Sequence, residues 1–201
     1  VTWSASVDSL DHWRYDGVIF EVTKNAKGEY LHKEKWGDVL YAPDVAEKTE
    51  PDGTKTYYLY PNNQAGGRNG MVAKSKRPDG PFEVINWNPE KPNETIGVLG
   101  FDPAVFIDDD GKVYAIHGYG TVKCTELYPD MSGPIEGTER VIIPEGNGVG
   151  EGHHMYKING MYYLISTDYR PNGRTLCSRS KSIWGPYETR VITADETYGY
   201  H

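Results

Sequence analysis

The chain has 201 residues, with 29 acidic and 21 basic side chains and a formal net charge of −8. That balance disfavours nucleic acid and anionic membrane as partners. No segment approaches the apolar length of a membrane-spanning helix, and no signal peptide is read at the start, where Val1 opens directly into strand-like sequence. Cys124 and Cys177 lie far apart with no Cys-x-x-Cys pair, so they read as two buried free thiols. Gly, Pro and Tyr are abundant and no long 3.6-residue stripe occurs, which is the composition of a turn-rich all-β protein.

In chain order, TWSASV (2–7) reads as a strand and HWRYDG (12–17) as the turn out of it. YAPDVAEK then leads through the turn Pro51–Gly53 into TYYLYPN. FDPAVFID leads through Asp109–Gly111 into VYAIHGY, and EGHHMYKI leads through Asn159–Gly160 into YYLISTD. Each is a hairpin closed by turn residues, with an apolar, aromatic second strand. Each is followed by a third strand (71–76, 122–127, 175–180), a Gly-Pro turn and a short outer strand such as FEVI (82–85) or YETRVI (187–192). Four antiparallel strands in roughly fifty residues make one propeller blade. The predicted blades span 1–35 (part of a first), 38–98, 100–147 and 149–197, with a fifth opening at 199–201. The segments around Val18, Ile19, Phe20, Val191 and Ile192 are then expected to lack neighbours, and to pair with missing N- and C-terminal segments or with a second copy.

The first strand of a blade lines the central channel, and its starting end faces the pocket. Asp102 and Glu151 are expected at the same place in successive blades, so their carboxyls converge on one cavity. Like charges in a confined site raise each other's pKa, which suits a carboxyl that must donate a proton.

These residues carry a resemblance to glycoside hydrolase family 43, five-bladed propellers acting on arabinose- and xylose-containing polysaccharides. SVDSLDHW resembles the family's S-x-D-L-x-x-W, and YAPDV its W-A-P-D-V with Tyr41 in place of Trp. KSKRPDGPF resembles S-x-x-P-x-G-P-F, FDPAVFIDDDGKVY resembles D-P-x-x-F-x-D-D-D-G-x-x-Y, and EGHHMYKINGMYYL resembles E-G-P-x-x-x-K-x-x-G-x-Y-Y-L. The resemblance implies a partial five-bladed propeller and an inverting mechanism. Glu151 would be the general acid and Asp102 the residue that orients it, while a general-base Asp would precede Val1 and be missing from the chain. On that reading the chain alone is silent. Asp44 is the only nearby substitute base, and its family counterpart is not the base. Tyr41 and Phe101 are candidate pocket walls, and Asp44 and His154 candidate sugar contacts. The chemistry requires no cofactor. A structural calcium on the axis beside His201, in Gly199-Tyr200-His201, is the one metal implied. The implied setting is secreted or periplasmic, with a carbohydrate substrate removed as an arabinofuranosyl or xylosyl unit.

Two other classes remain open: a fructan-acting hydrolase of the related fold, and a non-catalytic carbohydrate-binding propeller. Gly152 and the Phe101-Asp102-Pro103 triplet argue against the first, because that group carries Cys after the Glu and Arg-Asp-Pro in the third blade. Adjacent His153 and His154 point to opposite faces of a strand, so a satisfied core histidine is favoured over a metal pair. Asp108, Asp109 and Asp110 lack the spacing of a calcium loop and read as a solvated hairpin tip. Trp3, Trp13, Trp36, Trp87 and Trp184 read mostly as packing between blades. Arg68 and Arg170 are unplaced sugar contacts, and the 86–100 insert is expected at the pocket rim.

Overall fold

Turn chemistry sets the hairpins. Asn159 and Gly160 both have positive φ (50° and 75°), the type I′ geometry that matches strand twist. The turns at Glu50–Thr54 and Asp108–Lys112 share another design. Gly53 and Gly111, both at φ 82°, donate their N–H groups to the carbonyls of Glu50 and Asp108, each at 2.9 Å. Only glycine adopts that φ at little cost.

The computed structural model describes residues 1–21, 24–29, 40–63, 69–168 and 173–193. Among them are fourteen strands and no helix. Strands β3 (Asp44–Thr49), β4 (Lys55–Tyr60), β5 (Ala73–Ser75) and β6 (Glu83–Val84) form one antiparallel sheet in sequence order. Strands β7 (Ala104–Ile107), β8 (Val113–His117), β9 (Val122–Leu127) and β10 (Arg140–Ile143) form the next. Strands β11 (Glu151–Ile158), β12 (Met161–Asp168), β13 (Arg174–Ser180) and β14 (Glu188–Val191) form the third. β1 (Thr2–Ser6) and β2 (Ser9–Gly17) pair as a separate two-stranded sheet. The predicted four-strand rhythm is therefore present three times.

Strand periodicity explains the stacking of the sheets. Along β8, Val113 and Ala115 pack with Ala46, Tyr58, Tyr60 and Val72 of the preceding blade. Tyr114 and Ile116 turn the other way, to Met155, Tyr162 and Leu164 of the following blade. All five residues of β8 are buried, as expected of a strand covered on both faces. Each fully buried aliphatic side chain contributes about 1.5–3 kcal/mol. Polar clasps join the same blades: the Tyr60 hydroxyl donates to the Met131 carbonyl at 3.1 Å, and the Lys48 ammonium to the Pro129 carbonyl at 2.6 Å.

Three expectations are corrected. Residues 12–17 continue strand β2 rather than forming a turn. The reversal is at Val7-Asp8, where the Ser6 hydroxyl accepts the Asp8 N–H at 3.2 Å, and Trp13 and Tyr15 favour extended backbone. Ile19 and Phe20 are not without neighbours: they pack on Leu59, Ala73 and Phe82, and the Ile19 carbonyl accepts the Phe82 N–H at 3.0 Å. Val18, Val191 and Ile192 do remain exposed. Asp108 is not a solvated tip. It is buried, accepting bonds from the Lys157 ammonium at 2.5 Å and the Tyr162 hydroxyl at 2.6 Å of the next blade, while Asp109 and Asp110 form the exposed turn. Burial would raise its pKa, but Lys157, Tyr162 and the Asp109 amide outweigh that and hold it below the usual carboxylate value.

The remaining readings divide. Trp184 packs between blades, edge-on to Tyr114 and under Arg140. Trp3 and Trp13 are exposed on the β1–β2 hairpin. Cys124 is buried and Cys177 only half-buried, both as free thiols. Trp36, Arg68, Arg170 and His201 lie outside the described residues.

Candidate active site

The three inner strands begin alike. Asp44 pairs with Tyr60, Ala104 with Ile116 and His154 with Ile165. Two residues before each pair the backbone takes a positive φ, at Ala42 (44°), Asp102 (55°) and Gly152 (65°). The structure thus corrects the expected register. Gly152, not Glu151, is the counterpart of Asp102, and Glu151 stands level with Tyr41 and Phe101. The ladder between β11 and β12 is irregular between Glu151 and His154, with Glu151 paired to Thr167, and one blade earlier the Phe101 carbonyl likewise accepts the Gly118 N–H at 2.7 Å. Such an irregularity re-aims a side chain at a strand's end.

Tyr41, Phe101 and Glu151 form one tier. The Tyr41 and Phe101 rings are 5.8 Å apart and tilted by 48°, an apolar pair at the strand positions that correspond to Glu151. Ala42, Pro43, Asp44, Asp102, Pro103, Gly152, His153 and His154 line an open cleft of about 480 Å³. The cleft therefore gathers Asp102, Asp44 and His154, with Glu151, Phe101 and Tyr41 each one residue before a lining residue. The 86–100 insert contributes nothing to this lining. Its Ile96, Gly97 and Val98 face Pro134 and Tyr128 in a separate hollow.

Two carboxylates clasp neighbouring blades at this level. Asp102, buried, accepts the Gly152 N–H at 2.5 Å, and Asp44 accepts the Val105 N–H at 2.6 Å. Desolvation pushes the Asp44 pKa up. The Val105 and Val45 amides and His154 offset part of this, and the nearby Asp102 adds to it.

His153 is the satisfied core histidine of the pair. Its Nδ1 lies 2.9 Å from the Ser166 hydroxyl, and its Nε2 lies 3.0 Å from the Gly118 carbonyl. That carbonyl can only accept, so Nε2 carries the proton. His154 is on the other face, exposed in the cleft, its ring 4.7 Å from that of Tyr156. Among the described residues no group of three or more His, Cys, Asp or Glu could hold a metal ion, and the metal reading of His201 falls outside them. Sequence reasoning missed Gly152 and the Val105 amide. The glycine after Glu151 was the available signal for the first; a backbone N–H leaves none.

The model of glycosyl hydrolases family 43 matches residues 3–195. The chain belongs to glycoside hydrolase family 43. It is 31% identical to an arabinoxylan arabinofuranohydrolase of Bacillus subtilis, over 92% of this chain and 40% of that protein. It is 33% identical to a xylan 1,3-beta-xylosidase of a Vibrio species, over 74% of this chain and 29% of that protein. A solved family 43 arabinoxylan arabinofuranohydrolase from Bacillus subtilis, in complex with cellotetraose, superposes with a TM-score of 0.66 at 27% identity, covering 89% of this chain and 41% of that one. The family 43 chain is thus a partial five-bladed propeller, and it spans less than half the length of these relatives.

Proposed function

We propose that this chain carries the acid half of a glycosidase site that removes arabinofuranosyl or xylosyl units from plant polysaccharides or oligosaccharides with inversion. The observation that carries the reading is the Asp102–Gly152 clasp: one buried carboxylate of the cleft holds the backbone one residue past a second, half-buried carboxyl residue, Glu151. Glu151 donates its proton to the bridging oxygen. Asp102 acts through the Gly152 amide as a positioning residue, keeping the bulge from sliding and the acid from turning away. Tyr41 and Phe101 pack the apolar face of the sugar, while Asp44 and His154 meet its hydroxyls. Inversion needs a water-activating carboxylate roughly 6.5–9.5 Å from the acid. We assign that base to a segment outside these 201 residues, so that the chain alone is silent. An arabinofuranosyl unit is the preferred substrate, supported by the arabinofuranohydrolase relatives. Action is placed outside the cytoplasm, because a polymeric substrate does not cross a membrane. We give a structural calcium no part in the proton transfer.

The test is hydrolysis of aryl and alkyl α-L-arabinofuranosides and β-D-xylosides by the full-length protein, with the anomer of the first product followed by NMR. Turnover with inversion supports the reading. Retention would remove the inverting mechanism, and binding of oligosaccharide without turnover would leave a carbohydrate-binding propeller instead.

A further inference from the structure

The two chain neighbours of Glu151 line different hollows. Gly152, after it, lines the cleft just described. Gly150, before it, lines a second hollow of about 210 Å³ between the loop after β8 and the segment leading into β11. At about 30 Å³ per water, that is room for about seven waters, the scale of one monosaccharide. Its walls include Tyr119, Glu145 and Asp168. Tyr119 is 62% exposed, so its ring is presented to solvent and not spent on packing. Asp168 is buried and held by the Arg174 guanidinium at 2.5 Å, which makes that wall rigid. The floor is pinned as well. Gly120 donates to the Gly150 carbonyl at 3.1 Å, and Gly150 donates to the Thr167 carbonyl at 2.7 Å. A Cβ at Gly150 would come within 2.5 Å of that same Thr167 oxygen, so only glycine fits there.

A general acid serves an oxygen that bridges two groups, and those groups must lie on opposite sides of it. If the Asp102 side receives the sugar that is released, the Tyr119 side faces the group that leaves. We propose that the hollow beside Tyr119 binds the leaving-group sugar of the substrate, with the Tyr119 ring as its stacking platform and the Glu145 carboxylate accepting a hydroxyl. This rests on the glycosidase reading above. It assigns to the hollow the choice between a bare glycoside and one attached to a further sugar, since an aromatic face and a hydroxyl acceptor are the usual means of orienting such a ligand.

The test uses the full-length protein, Tyr119→Ala and Tyr119→Trp, and two substrates sharing the released sugar: methyl α-L-arabinofuranoside and an arabinofuranosyl-xylobiose, or methyl β-D-xyloside and xylobiose where the wild type prefers xylose. The expected result is a kcat/KM loss for Tyr119→Ala about tenfold larger on the oligosaccharide than on the methyl glycoside, restored by Trp. Equal losses on both substrates, or no loss on either, would overturn the site while leaving the glycosidase reading intact. A wild-type protein that turns over neither substrate would overturn that reading, and the site with it.

Discussion

The Asp102 carboxylate accepts the amide N–H of Gly152 at 2.5 Å, reaching from the third blade into the fourth one residue past Glu151. The same device recurs one blade earlier, where Asp44 accepts the Val105 amide at 2.6 Å. Two acidic residues thus tie the mouths of adjacent inner strands together, and the strand ends that form the cleft are fixed relative to one another. Removing the first clasp should separate two effects. Asp102→Ala leaves a part-buried N–H unpaired and should lower stability by about 1–3 kcal/mol. Asp102→Asn keeps an acceptor oxygen, so it should retain most of that stability, yet a neutral amide holds the Gly152 N–H more weakly than a carboxylate does, so activity should fall. Denaturant unfolding of both variants beside their kcat/KM values distinguishes a positioning carboxylate from a purely structural one.

Glu151→Gln preserves shape and removes the proton. Activity of the full-length protein on alkyl-type leaving groups should fall by roughly 10²–10⁴-fold. Aryl glycosides, whose leaving groups hardly need protonation, should lose much less. Equal rates for variant and wild type on both substrate classes would remove Glu151 from the acid role.

Asp44 makes a prediction about pH. Its folded pKa is raised, chiefly by burial, so the folded state favours the protonated form. That contribution to stability is complete below the ordinary aspartate pKa and is lost as pH rises through the raised folded value. Asp44→Asn, which is neutral at every pH and retains an acceptor for Val105, should therefore unfold at a higher temperature than wild type at pH 7. The gain should disappear as the pH is brought below about 4. A gain that persists at low pH would show that ionisation is not its origin.

Asp108 has the opposite sign. Its pKa is held down by Lys157 and Tyr162 against the cost of burial. Stability from this latch is present above the ordinary aspartate pKa and lost as pH falls through the depressed folded value. Tyr162→Phe deletes one hydrogen bond to a charged group and should cost about 1.5–3 kcal/mol at neutral pH. The cost should shrink in acid, which urea titrations at pH 7 and pH 2 would resolve.

Ala42 occupies, at φ 44°, the left-handed position that Gly152 fills one residue past Glu151. An L-residue with a Cβ is disfavoured there by about 1–2 kcal/mol, so Ala42→Gly should stabilise the chain by about 0.5–1 kcal/mol after the added freedom of the unfolded state is counted. A thermal melt showing no gain would place a compensating contact on the Ala42 methyl.

Local sequence determined the blades. Asn159–Gly160 and the Gly53 and Gly111 turns dictate where each chain reversal falls, and the apolar run of β8 announces a strand covered on both sides, because these signals depend on φ preference and period alone. The acidic residues before β7 and at the start of β11 were legible for the same reason, being tied to strand beginnings. Their relative register was not. A spacing of 49 residues placed Asp102 and Glu151 as equivalents, whereas the left-handed residue shared by the three blades, at Ala42, Asp102 and Gly152, sets Glu151 level with Phe101 and Tyr41, and that backbone turn appears only once the ladders are formed. Burial was hidden in the same way. Asp108, in a run of three aspartates, is turned inward by a lysine and a tyrosine some fifty residues away. Periodicity reports which face a side chain takes within its own strand, but only the stacking of one blade on the next decides what stands opposite it.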